Sequence, residues 1–325
     1  MHVPKLYLSE PYSYKIRDID IRPTWRCNAR CPTCGSWKRE NNDLNFKQTS
    51  QIIKYFRNLR KVIIEGGEPT LWDHLIYFIK HIDAGDKALI TNAINTERIK
   101  EIASYFTPSD MRFVVSLNGL GDVHDFSRGV KGAFDSLVRS VDVMYHYGYD
   151  IRFQFIAVKR TIGDLEKTRQ FIKARWGVDL LLVSYPSKIG IYGENIKCEY
   201  LNDDEMRTLL MSQKEEKKLN KIIQDIYTKK VNKKEPIKCL YGRSKIHIAA
   251  NGGIYVCQYA DVMKFGQVYD DKVEIDQDVR KNYCKMVSNC KYQYSTGQLC
   301  SHEAAVLSLR HNLLYLMREA WKQLI

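Results

Sequence analysis

Three cysteines fall within the stretch RPTWRCNARCPTC: Cys27, Cys31 and Cys34, spaced Cys-x3-Cys-x2-Cys. Thiolates packed this closely can wrap one face of a 4Fe-4S cube and leave one iron without a protein ligand. That open iron is a place for chemistry. Zinc also gathers cysteines, but its habit is paired Cys-x2-Cys knuckles or Cys/His sets that close a four-ligand tetrahedron. A structural cluster or zinc site with a remote fourth ligand is the alternative reading of the triplet taken alone.

A second motif, RKVIIEGGEPTLW, follows at the spacing of one strand-helix unit. Val62, Ile63 and Ile64 read as a buried parallel strand, and Gly66-Gly67-Glu68-Pro69 leaves from its carboxyl end. The double glycine lets a ligand approach the backbone, and carbonyls freed at a strand end accept hydrogen bonds from an ammonium group. By itself Gly-Gly-x-Pro is ordinary turn chemistry.

Together, the cysteine triplet after a first strand and Gly-Gly-Glu-Pro after a second resemble the radical S-adenosylmethionine (radical SAM) superfamily. The resemblance implies that Cys27, Cys31 and Cys34 ligate a 4Fe-4S cluster, whose open iron binds the methionine part of S-adenosylmethionine. Gly66, Gly67 and Glu68 would contact the methionine amine. Reductive cleavage would then give a 5'-deoxyadenosyl radical that abstracts hydrogen from a substrate carbon. The family often has an aromatic residue before the third cysteine; here it is Thr33, which weakens any adenine contact from this loop.

With 325 residues, 44% hydrophobic content and only eight prolines, the chain has the composition of a folded globular protein. No apolar run approaches the roughly 18 residues of a membrane span, and MHVPKLYLSE lacks a signal-peptide core, so the cytoplasm is the expected location. Nine cysteines there point to metal or redox chemistry rather than disulfides. The net charge of +13 favours an anionic partner. Much of that charge sits in Lys-rich runs such as YTKKVNKKEPIK, which read as a solvated face; with little aromatic interleaving they disfavour nucleic acid.

Strand and helix patterns alternate through the first part of the chain. Expected strands are Ile16 to Ile21, Lys61 to Glu65, Lys87 to Thr91, Met111 to Leu117, Ile151 to Val158 and Asp179 to Ser184, separated by amphipathic helices. This is an α/β pattern for a partial (β/α)6 TIM-like barrel, the architecture the resemblance also implies. Working groups in such a barrel sit at the carboxyl ends of the strands. Ser116 and Asn118 in SLNG suit ribose hydroxyls, with an ordinary polar turn as the alternative. Asn92 and Val158, ending the third and fifth strands, are further candidates for the cofactor pocket. His124 to Gly129, HDFSRG, reads either as an acid/base or anion-binding group or as a capped, salt-bridged loop, with the structural role ahead.

The expected organisation is a barrel core over 1–195, a helical linker over 196–235 and an auxiliary cluster domain over 236–325 that ends in a helix. Cys198 in the linker reads as a buried free thiol. Residues 239–257, CLYGRSKIHIAANGGIYVC, alternate around Asn251-Gly252 as a β-hairpin would. The pattern resembles the opening of a SPASM/twitch extension. Five cysteines from Cys239 onward, with no Cys-x2-Cys pair, suit a reduced, twitch-like domain with one auxiliary 4Fe-4S cluster. The preferred ligands are Cys239, Cys257, Cys290 and Cys300, with Cys284 in reserve; a structural zinc is the alternative. The tail from Glu303 to Ile325 reads as an amphipathic core helix with apolar residues to spare for a partner or peripheral membrane contact.

The expected function is radical hydrogen abstraction giving a net oxidation, or dehydrogenation, with a flavodoxin- or ferredoxin-type external electron donor. The first cysteine lies close to the start of the sequence, leaving no room for an amino-terminal peptide-recognition domain. That tilts the substrate toward a small or carrier-bound anionic molecule. A peptide-modifying maturase or epimerase is the alternative within enzymes. A metal-scaffolded binder of nucleic acid or anionic membrane is the alternative outside them, and the Gly66–Glu68 turn argues against it.

Overall fold

The computed structural model describes residues 15–178, 181–184, 200–202, 205, 241–257 and 263–288. Six strands run in sequence order across the sheet: β1 (Asp18–Ile21), β2 (Leu59–Ile64), β3 (Ala84–Thr91), β4 (Arg112–Ser116), β5 (Ile151–Ile156) and β6 (Leu181–Ser184). Every adjacent pair among them is parallel. The strands fall where the apolar runs put them, with edges shifted by a few residues. The sheet does not close, as a partial barrel requires.

The outer layer consists of α1 (Phe46–Tyr55), α2 (Leu75–His81), α3 (Thr96–Tyr105), α4 (Gly121–Arg128), α5 (Ala133–His146), α6 (Lys159–Ile162) and α7 (Leu165–Trp176). Local chemistry fixes their starts. Asn45 caps α1 by accepting from Gln48 N at 2.9 Å, and Gln48 returns the bond by accepting from Asn45 N at 3.1 Å. Ile52 and Ile53 then pack inward with Ile19, Ile21, Val62, Ile64 and Leu89 in one continuous core.

HDFSRG resolves as structure. It forms the end of α4, Gly129 closes it in the left-handed conformation (φ 62°), and the Asp125 carboxylate accepts from Gly132 N and Phe134 N ahead of α5. His124 is fully buried and accepts from Asn118 N through Nδ1 at 3.1 Å.

Beyond the barrel, β7 (Lys245–Ile248) lies parallel to β1, with Asp20 opposite His247. Then β8 (Gly253–Tyr255), β9 (Lys264–Val268) and β10 (Val273–Ile275) add antiparallel strands, followed by α8 (Gln277–Ser288). The anticipated hairpin is present, but its turn is wider than a two-residue Asn-Gly turn. Ala249 N donates to Gly253 O and Gly252 N to Ala249 O, both at 2.9 Å, and only Gly252 is left-handed (φ 76°). A type I′ turn needs two left-handed residues, so the strands part earlier, at Ile248 and Ile254. The expected linker helix, Cys198 and tail helix lie outside the described residues. Among the described residues no helix is long and apolar enough to cross a membrane.

Burial holds the pKa of His124 well below that of a free imidazole, and nearby Arg128 adds to the shift. His247 is lowered in the same way by burial, then by Arg22 and Lys245. Both rings stay neutral in the folded chain while the unfolded chain protonates near pH 6.5. Their contribution to stability is therefore present above that pH and lost on acidification below it, by up to ~1.4 kcal/mol per pH unit for each ring. Urea unfolding between pH 7 and 5 should show a shallower pH slope for His124→Asn than for wild type; equal slopes would contradict this.

Candidate active site

The loop leaving β1 carries the three cysteines, and backbone contacts from two neighbouring elements hold it. From the end of β2, Gly67 N donates to Thr24 O (2.9 Å) and Glu68 N to Arg26 O (2.7 Å). A Cβ on Gly67 would stand 2.3 Å from Arg26 O and 2.5 Å from Trp25 O, so only glycine permits this approach. From α4, Arg128 O accepts from Arg30 N at 2.7 Å, and a Cβ on Gly129 would meet Arg30 O at 2.5 Å.

Glu68 is buried, and its side chain is fully engaged. Oε1 accepts from Thr70 N, Thr70 Oγ1 and Thr91 Oγ1, and Oε2 from Asn92 N at 2.8 Å. Burial pushes its pKa up against the pull of these four donors. The carboxylate thus ties the end of β2 to the end of β3, while its backbone faces the cysteine loop. Asn92 continues the chain of contacts, donating through Nδ2 to Asn28 Oδ1 at 2.8 Å, one residue past Cys27.

The thiols sit half-buried on this frame. Burial raises the Cys27 pKa to about 12, helped by the negative charge of Glu68 and by its two neighbouring cysteines. Cys31 is also raised by burial, with Arg128 opposing. Cys34 Sγ lies 3.3 Å from Ser36 Oγ and accepts from Ser36 N. The Cys27 and Cys31 thiols resist ionisation alone, and a bound metal supplies the positive charge that makes thiolates stable. Among the described residues no three Cys, His, Asp or Glu side chains converge as one ion requires. A cube, whose thiolates stand on separate irons, does not need that convergence. The donor set fits a 4Fe-4S cluster.

A cavity of about 340 Å³ opens beside the loop, lined in part by Pro32, Thr33, Asn118, Ile156, Val158 and Thr161. It brings Asn118 and Val158 together with Thr33, the residue before Cys34, whereas Ser116 and Asn92 do not line it. Asn118 also accepts from Ile156 N through Oδ1, joining the two strand ends. Ser116 is placed nearby, with its carbonyl taken by Arg128. Sequence reasoning missed Asn28, Thr91 and the contact of Arg128 with Cys31, which carry no signal in spacing alone.

In the C-terminal region, Cys257 follows β8 and Cys284 is buried in α8. A Cβ on Gly242 would lie 2.8 Å from Cys284 Sγ and 2.9 Å from Val256, so Cys284 packs beside the residue preceding Cys257. Arg280 donates to Gly242 O and Arg243 O in the same place. Cys239, Cys290 and Cys300 lie outside the described residues.

Residues 21–172 match the model of the Radical SAM superfamily. The family match and the relatives support radical SAM superfamily membership. GTP 3',8-cyclase of Campylobacter lari is 27% identical over 164 residues, 47% of this chain and 50% of the relative. Mycofactocin maturase MftC of Mycolicibacterium smegmatis is 30% identical over 168 residues, 48% and 41% respectively. The chain therefore spans about half the length of these curated relatives or less. Among solved structures, Streptococcus suis SuiB bound to S-adenosylmethionine superposes with a TM-score of 0.59 at 16% identity, covering 91% of this chain and 72% of SuiB. Native anSMEcpe with bound AdoMet superposes at 0.60 and 13% identity, covering 94% and 98%. These likenesses establish the partial-barrel fold, and the radical SAM match implies a 4Fe-4S cluster and S-adenosylmethionine as cofactors.

Two substitutions test the frame. Gly67→Ala should lower iron bound per chain several-fold after anaerobic reconstitution while circular dichroism keeps the α/β signal; full loading would contradict the close-approach argument. Glu68→Gln turns an amide N–H₂ toward donors and should cost about 1–3 kcal/mol in urea unfolding.

Proposed function

We propose that the chain is a radical SAM enzyme that abstracts hydrogen from a substrate carbon and completes a net oxidation. Cys27, Cys31 and Cys34 hold the cluster in this reading, with Gly66, Gly67 and Glu68 at the methionine amine. Asn92, Ser116, Asn118 and Val158 complete the cofactor pocket. Bound together, the cluster and S-adenosylmethionine supply a 5'-deoxyadenosyl radical. The carrying observation is that the three-cysteine loop rests directly on the Gly-Gly-Glu turn, with Gly67 N on Thr24 O and Glu68 N on Arg26 O.

One auxiliary 4Fe-4S cluster, held by Cys239, Cys257, Cys290 and Cys300, accepts the second electron. The position of Cys284 beside Gly242 and Val256 supports it as a substitute for Cys290 or Cys300. The +13 charge favours a small or carrier-bound anionic substrate, and a flavodoxin or ferredoxin supplies the first electron. A second reading, peptide modification, draws on the maturase among the relatives and on solved neighbours bound to peptides: SuiB with its precursor peptide SuiA, and anSMEcpe with the Cp18Cys peptide.

Anaerobically reconstituted protein given reductant and S-adenosylmethionine should release 5'-deoxyadenosine, and Cys31→Ala should abolish the release. Intact S-adenosylmethionine from wild-type protein with its clusters loaded would sink the proposal.

A further inference from the structure

Arg128 is a buried cation without a buried anion. The residue is 7% exposed, and among the described residues no carboxylate pairs with it. Nη2 donates to Ser116 O at 2.8 Å, which fixes the plane of the guanidinium, and Nη1 points at Cys31 Sγ from 3.7 Å. The Cys31 thiol in turn lies 4.0 Å from Arg128 O. Position 128 is thus held twice, through its backbone carbonyl on Arg30 N and through its side chain on the fourth strand. Leaving an isolated charge in such a place costs several kcal/mol unless an opposite charge answers it. Ion pairs elsewhere in the barrel are matched, as Lys245 with Asp20 and Arg22 with Glu65 are. At Arg128 the group that can answer is the thiolate of Cys31.

We propose that Arg128 is a positioning and tuning residue for the cluster, holding the Cys31 ligand and raising the cluster's reduction potential. The inference rests on the cluster reading above and goes beyond it. A cluster on three thiolates is anionic and gains one further negative charge on reduction. A fixed cation and N–H donor at one ligand sulfur therefore stabilise the reduced form more than the oxidised form. The guanidinium suits this role because its planar fork serves Ser116 O and Cys31 Sγ at once, which a lysine ammonium does not reproduce. A purely structural role for Arg128, clamping α4 to the cysteine loop, would leave the potential where it is.

The test is an EPR-monitored redox titration of anaerobically reconstituted full-length protein, without S-adenosylmethionine. To isolate the signal, Cys257 and Cys284 are replaced by Ala in every sample. Arg128→Gln keeps a donor for Ser116 O and removes the charge. It should make reduction at least tenfold less favourable, a shift of about 59 mV to more negative potential for a one-electron couple. Arg128→Lys should fall between this variant and the parent. Parent and variant potentials that coincide would overturn the inference while leaving the cluster reading intact; a parent protein that binds no cluster would overturn both. Should Arg128→Gln fail to load, pulsed EPR of the parent grown with guanidinium-15N arginine decides. A 15N coupling to the reduced cluster that disappears in Arg128→Lys supports the contact, and no coupling refutes it.

Discussion

The structure turns on how one irregular loop is held still. Within the segment from Thr24 to Cys34 the backbone bonds to itself at Cys34 N to Cys31 O, and much of its shape comes from backbone groups lent by neighbours: Gly67 and Glu68 at one end, the carbonyl of Arg128 in the middle. Both donors of shape depend on glycine, because Gly67 and Gly129 lie where a methyl group would strike a loop carbonyl. Side chains then lock the lenders in place. Glu68 is tied to Thr91 and Asn92 at the end of β3, and Arg128 to Ser116 at the end of β4. The cysteine loop is therefore referenced to three strand ends at once, which is the preorganisation a metal ligand set needs.

The charges inside the barrel follow from the same geometry. Side chains alternate along a strand, so Asp18 and Asp20 of β1 share one face while Ile19 and Ile21 share the other. On β7, Lys245 and His247 sit opposite Asp18 and Asp20, and Ile246 and Ile248 opposite the isoleucines. Burying the charged face is tolerable because it is paired: Lys245 Nζ lies 3.0 Å from Asp20, whose carboxylate also accepts from Tyr241 OH at 3.2 Å. These pairs tie the C-terminal strands to the first barrel strand, so the hairpin extends the barrel sheet and stands close to the cysteine loop.

Much of this was legible in the sequence. Parallel strands buried on both sides read as short apolar runs, and β2, β4 and β5 appear where VII, FVV and FQFI stand. The cysteine triplet and the Gly66–Glu68 turn stood out by residue type and spacing, and the structure sets one against the other. What stayed hidden depends on contacts distant in sequence. The run DIDI looks like a strand with one wet face, yet all four residues are buried because the second face turns into the barrel. His124, Asp125 and Arg128 read either as an acid/base group or, with the structural role ahead, as a capped loop, and the partners that hold them, Asn118, the start of α5 and Ser116, carry no signal in local spacing. The approach of Arg128 to Cys31 joins residues 97 apart, and no local pattern encodes it.

Cys27, Cys31 and Cys34 are proposed to bind a cube that leaves one iron for an amino acid ligand. Mössbauer spectroscopy of 57Fe-reconstituted protein carrying only the N-terminal triad tests it most directly. The expected result is a 4Fe-4S spectrum in which S-adenosylmethionine shifts the signal of one iron and leaves the others unchanged. Zinc at Cys27, Cys31 and Cys34, or a cluster indifferent to S-adenosylmethionine, would contradict it.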